Sequence, residues 1–298
     1  MACPPPFPRP PARVLRACTL LLAAWCAGCA SLPQAVQDAM PAGALLLGEQ
    51  HDAPSHQRLH HDTVRALAAR GQLAALALEM AEQGASTRGL PRDADEATVR
   101  QALGWSEQAW PWAPYGPSVM AAVRAGVPVL GANLPRAQMR VAMADATMDQ
   151  RLPPEALERQ REAIRTGHCG LLPQAQIAPM ARIQIARDRA MAETVSQAAG
   201  SEARAEGNGN GNGNGNGNGN GNGNGNGNGK TAGRTVVLIA GSAHVDPALG
   251  VPQHLGHLAN LAGGLRVQAV TWPAAPPARD YCADLRRQMQ EMKAPARP

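Results

Sequence analysis

Five short runs of apolar residues recur along the chain, at Ala44 to Gly48, Leu73 to Leu78, Val127 to Gly131, Thr235 to Ala240 and Leu265 to Thr271. Each is continuous and does not alternate with polar residues, the pattern of strands buried on both faces. The segments between them change period. Ser55 to Arg70, Pro117 to Ala125, Pro154 to Thr166 and Gln174 to Ala199 carry helical composition, with apolar positions three and four residues apart. Strands alternating with helices predict an α/β domain, its largely parallel β-sheet flanked by helices on both faces. The stretch Gln138 to Ala199 holds no convincing strand, so the middle of the chain is predicted to form a helical cap or subdomain.

Two segments stand outside that pattern. Arg9, Arg13 and Arg16, with no acid among them, precede the apolar stretch Ala17 to Gly28, the order of a cleavable signal peptide over residues 1–28. That stretch falls well short of the roughly 20 residues that span a bilayer. Cys26-Ala27-Gly28-Cys29 resembles a bacterial lipobox, which predicts lipidation at Cys29 and a tether over 29–41; unlipidated cleavage near Ala27 to Ala30 is the alternative. Ala30, where an Asp would favour the inner membrane, points to a periplasm-facing place on the outer membrane. The second segment is the strict Gly-Asn alternation from Gly207 to Gly229. It has nothing to bury, so residues 200–234 are predicted to be a disordered insertion within one domain, made of 42–199 and 235–275, with 276–298 as a tail.

Removing residues 1–28 leaves 270 residues and lowers the formal net charge from +5 to +2, because three arginines and no acid are lost. The remaining basic residues are interspersed with acids, which speaks against nucleic acid as a partner. Cys3, Cys18 and Cys26 leave with the signal and Cys29 would carry lipid, so Cys169 and Cys282 remain, either as a disulfide or as two free thiols.

The polar residues that carry chemistry follow the predicted strands. Glu49, Gln50, His51 and Asp52 come after the first, Glu79 after the second, Asn133 after the third and His244 after the fourth. In an open parallel sheet these ends share the edge where ligands bind. Two glutamates, an amide and two histidines there suit a metal, a polarised water or a propionate-bearing ligand. Other residues have blander readings. Glu49 and Glu79 also suit helix caps or salt bridges, His60 and His61 a solvated helix face, and His254 and His257 the surface. Trp105, Trp110 and Trp112 read as packing. His168-Cys169-Gly170 fits a metal ligand or reactive thiol as well as it fits a structural turn.

Six segments in order resemble the ChaN family of haem-binding lipoproteins in the Tiki superfamily: Leu47 to Asp52 with His56, Glu79-Met80, Tyr115 with Asn133 to Arg136, Gly167 to Gly170, Gln184 with Arg187-Asp188 and Met191-Ala192, and Gly241 to His244 with Gly250 to Pro252. The resemblance covers about residues 42–272 apart from the insertion. It implies an α/β fold, a lipid anchor, and haem held for iron acquisition through a tyrosine, with a homodimer and an outer-membrane haem receptor as further partners. Tyr115 and Tyr281 are the only tyrosines, and Tyr115, in the family-like stretch, is the expected iron ligand, beside His51, His168 and His244. Hydrolase relatives in the superfamily imply an alternative: Glu49, His51, Glu79 and His244 activating water, with or without a divalent metal.

Overall fold

A computed structural model describes residues 31–208, 233–259 and 264–293. The expected signal peptide, Cys29, most of the Gly-Asn repeat and the end of the tail lie outside the described residues. The chain forms α1 (Gln34–Ala39), β1 (Ala44–Glu49), α2 (Pro54–Ala69), β2 (Leu73–Glu82), α3 (Glu96–Ala102), α4 (Trp112–Arg124), β3 (Val129–Asn133) and α5 (Arg136–Ala144). After a 3-10 turn at Ala146–Gln150 come α6 (Pro154–Gly167), α7 (Gln174–Asn208), β4 (Thr235–Gly241), α8 (Ser242–Val245), α9 (Pro252–Ala259), β5 (Val267–Thr271) and α10 (Tyr281–Lys293).

All five strands pair in parallel, in the order β3-β2-β4-β1-β5. Successive side chains point to opposite faces, and every residue of β1 and β4 is buried. Leu45, Leu47, Leu76 and Leu78 pack with Val64 and Leu67 of α2 and Val119 and Val123 of α4. Ala44, Leu46, Ala75 and Ala77 face the other way, against Met191 and Val195 of α7 and Leu255 of α9. This is the expected α/β architecture, a parallel sheet flanked by helices. β1 and β2 are each followed by helices on the first face, whereas β4, lying between them, is followed by helices on the second. The connections therefore part above the carboxyl end of β4, which is where such sheets form a crevice.

The middle of the chain is helical, as the pattern predicts, and packs through three small clusters. One of these is Leu152, Ala156 and Ile185, and Arg182 adds a two-pronged ion pair to Asp149 at 3.0 and 2.9 Å. Two expectations need correcting. Helix α7 does not stop before Gly200 but continues to Asn208, and Glu202 on its last turns pairs with Arg234 just before β4, so the insertion leaves and rejoins the domain at one place. The predicted tail contains α10, and Cys282 at its start is disulfide-bonded to Cys169 after α6, with Cα atoms 5.7 Å apart. Among the described residues no helix is long and apolar enough to cross a membrane.

Strand β2 is irregular where it matters. Leu78 pairs with Gly131 and Glu82 with Asn133, so β2 carries two extra residues over that interval and bulges at Glu79. Bulges re-aim side chains at sheet edges. The bulge folds the Glu82 carbonyl over Gly131, where a Cβ would lie 1.9 Å from that oxygen. Gly131→Ala should therefore cost about 3 kcal/mol, the upper end of overpacking penalties, read as a lowered urea midpoint. A midpoint equal to the parent's would show that the bulge relaxes freely.

Candidate functional site

The crevice holds two buried carboxylates, one at the end of β1 and one at the bulge of β2. Glu49 accepts hydrogen bonds from the Tyr115 hydroxyl of α4 at 2.6 Å and from His51 Nδ1 at 2.8 Å, and His60 Nδ1 of α2 lies 3.2 Å from its other oxygen. Burial alone would raise this carboxyl, but the His51 hydrogen bond, then His60 and Tyr115, outweigh it and hold it at about 2. Glu79 accepts from the Arg187 guanidinium at 2.5 Å and from the Gly241 N–H at 2.7 Å. Burial again pushes up, but His244 and Arg187 prevail and keep the carboxyl well below its ordinary range.

Two histidines approach Glu79 from opposite sides, His51 Nε2 at 3.8 Å and His244 Nε2 at 3.5 Å. Each is backed by its own carboxylate, because His244 Nδ1 lies 2.6 Å from Asp188 of α7. Burial would lower the His244 imidazole, yet Asp188 and Glu79 raise it to about 9. His51 is likewise raised against its burial by Glu49 and Glu79, and burial raises the Asp188 carboxyl. Asn133 at the end of β3 accepts from Arg187 Nε at 2.9 Å, fixing the guanidinium that holds Glu79. Only His51 opens to solvent, with 41% of its side chain exposed; that of Glu49 is fully covered and that of Glu79 is 2% exposed. Gly241 makes the approach feasible, since a Cβ there would sit 2.9 Å from His51 Nε2.

Glu49, His51, Glu79 and His244, expected at one edge, do meet there. The other expected residues are placed as follows. Tyr115 is 4% exposed, and burial followed by the charge of Glu49 pushes its phenol far above the ordinary tyrosine range. As placed it donates its hydroxyl hydrogen to Glu49. His168 caps its own helix, its Nδ1 2.8 Å from the Ile164 carbonyl, and is not joined to the cluster. His244 Nε2 faces Glu79. Of the four residues expected to hold haem, His51 and Tyr115 meet at Glu49, His244 lies across Glu79 from His51, and His168 stands apart. His60, expected on a solvated face, is buried against Glu49 and Trp272, and His254, expected at the surface, is buried. Among the described residues no group of three or more His, Cys, Asp or Glu side chains is arranged to hold a metal ion.

A family profile described as haem-binding uptake, Tiki superfamily, ChaN matches residues 35–211. The chain belongs to this family. A solved structure described as cofacial haem binding to ChaN of Campylobacter jejuni is similar at 19% identity, over 81% of this chain and 86% of that one, with a TM-score of 0.57. That likeness shows a shared fold. No curated protein sequence matches the chain.

The charge pattern sets a pH dependence. Between 6.5, the ordinary histidine value, and about 9 the folded protein keeps a proton on His244 that the unfolded chain has released. This contribution is fully present below 6.5 and is lost as pH rises through about 9. Glu49 acts on the acid side: its contribution is complete above 4.5 and is lost as pH falls towards about 2. Urea unfolding should show greatest stability between these two windows, and His244→Gln should flatten the alkaline limb. An alkaline limb unchanged in that variant would refute the assignment.

Proposed function

We propose that the protein is a membrane-anchored lipoprotein that binds haem as cargo and takes part in haem and iron acquisition. The observation that carries this reading is the family match over residues 35–211. Lipidation at Cys29, a periplasm-facing place on the outer membrane, an outer-membrane receptor and a homodimer belong to the same proposal. The Cys169–Cys282 disulfide supports export, because such bonds persist in oxidising compartments.

Ferric haem titrated into the purified protein should shift the Soret band and saturate at a fixed ratio. A spectrum equal to that of free haem at every ratio would remove this reading. Cys29→Ser should move the protein from the membrane fraction to the soluble one while leaving its haem titration intact; continued fractionation with the outer membrane would exclude the lipid anchor.

One feature of the site favours a second reading, hydrolysis. Two histidine–carboxylate pairs aimed at a third carboxylate form an acid–base arrangement, and His51, open to solvent and oriented by Glu49, is placed to take a proton from water. Under this reading His51→Ala should lower turnover of an ester or amide substrate by about 10²–10⁴-fold. An active wild type whose His51→Ala variant turns over equally fast would exclude it.

A further inference from the structure

The segment that follows β5 buries almost nothing. Of residues 273–281 all but Ala275 are exposed, and none of the α10 residues from Tyr281 to Glu291 is buried. Such a segment keeps its place through hydrogen bonds and cross-links rather than packing, and hydrogen bonds from it converge on the loop that carries His51. The Gln50 N–H donates to His56 Nδ1 at 3.0 Å, so the ring hydrogen lies on Nε2 and is donated to the Pro273 carbonyl at 3.2 Å. The Ala275 N–H donates to Gln50 Oε1 at 3.1 Å, and Asp52 Oδ2 accepts from the Ala278 N–H at 2.8 Å and from the Tyr281 hydroxyl at 2.7 Å. Gln50 and Asp52 are also bonded to each other, Nε2 to Oδ1 at 2.8 Å. Both neighbours of His51 are thus held by one strap.

The strap ends at the Cys169–Cys282 disulfide, which spans 113 residues of sequence and ties it to the turn after α6 in the helical cap. Neither cysteine is buried. A disulfide open to solvent is the kind that thiols reach and reverse. Pro273, Pro276 and Pro277 limit the shapes the strap can take, so fixing its far end keeps Ala275, Ala278 and Tyr281 opposite their acceptors. With that end untied, the same exposed hydrogen bonds compete with water, and each contributes little on its own. Strands β1 and β4 are buried along their whole length, so the strap can open while the sheet keeps its packing.

We propose that the Cys169–Cys282 bond is a thiol-sensitive clasp on the candidate site: closed, it holds the strap against Gln50 and Asp52 and so fixes His51; opened by a dithiol reductant, it frees the strap and with it the His51 loop. The chemistry is thiol–disulfide exchange. A thiolate of the reductant attacks one cysteine sulfur, forms a mixed disulfide and expels the other cysteine as a thiolate, which takes a proton from solvent. The second thiol of the reductant, deprotonated, then displaces the first cysteine, which is protonated in turn. The dithiol leaves as a disulfide, so that two electrons and, by way of solvent, two protons have passed to the cysteine pair. The clasp acts on His51 whichever ligand or substrate the crevice serves.

Amide hydrogen exchange of the intact protein, oxidised and after dithiothreitol, tests the clasp. The Gln50, Ala275 and Ala278 amides should exchange at least about tenfold faster once reduced, while the Val237 and Leu238 amides of β4 stay protected; oxidised glutathione should restore the slow rates. Carbethoxylation of His51 by diethyl pyrocarbonate at constant pH, mapped by mass spectrometry, should rise severalfold on reduction. With the disulfide intact, Asp52→Ala should reproduce the faster exchange at Ala278 and the greater reactivity of His51, because it removes the acceptor and leaves the cross-link. Unchanged exchange at the strap and loop amides, or faster exchange there with constant His51 reactivity, would overturn the clasp. Loss of β4 protection together with that of the strap would overturn it too, making the bond a staple of the whole domain and not a switch on one loop.

Discussion

Everything at the carboxyl edge of the sheet follows from burying Glu49 and Glu79 as charges. An ionised carboxylate taken out of water costs several kcal/mol unless it is paired and hydrogen-bonded. No single element supplies enough donors. Glu49 therefore draws on its own loop through His51, on α2 through Gln57 and the nearby His60, and on α4 through Tyr115. Glu79 draws on α7 through Arg187, on α8 through His244 and on the backbone of Gly241. One carboxylate is satisfied from each face of the sheet, and His51, bonded to the first and 3.8 Å from the second, joins the two halves.

The same demand explains the role of α7. It packs against the sheet with Met191 and Val195, against the cap with Ala181 and Ile185, and delivers Arg187 and Asp188 between these contacts. The cap clusters are small, so the ion pairs along α7 help fix the cap relative to the sheet. The segment after β5 works similarly on the other side of His51. Pro273 accepts from His56, Ala275 donates to Gln50, and Ala278 and Tyr281 both donate to Asp52, before Cys282 joins Cys169. Those hydrogen bonds, that from the Ala278 N–H foremost, hold the Asp52 carboxyl at about 2. His51 is thus flanked by two residues pinned from the far end of the chain.

The strands were legible because a strand buried on both faces must be continuously apolar, and their polar terminators therefore stood out. Boundaries that depend on tertiary contact were less so: α7 outlasts its apolar pattern because Glu202 finds Arg234. The donors to the two glutamates were partly legible. Asp188 lies on the same helical stripe as Ala181, Ile185, Ala192 and Val195, all buried, and an acid on an apolar stripe requires a partner. His56 and His60 share the face of Val64 and Leu67, which marks them as buried. What that periodicity could not tell was which partner each would meet, and the Tyr115 hydrogen bond to Glu49, 66 residues away, left no local trace.

Helices α2 and α4 face two ways. On α2, His56 and His60 turn inwards while His61 and Arg65 line an outer cavity; on α4, Tyr115 turns inwards while Ala113, Pro117 and Arg124 line it. Three of the four side chains around Glu49, Gln57 and His60 of α2 and Tyr115 of α4, therefore come from these two helices. The spacing of those helices fixes the distances of 3.2 and 2.6 Å on which the charge of Glu49 depends. Glu49 in turn orients His51, the one member of the cluster open to solvent. The packing of α2 against α4 thus sets both the surroundings of one buried carboxylate and, through it, the orientation of a histidine at the sheet edge.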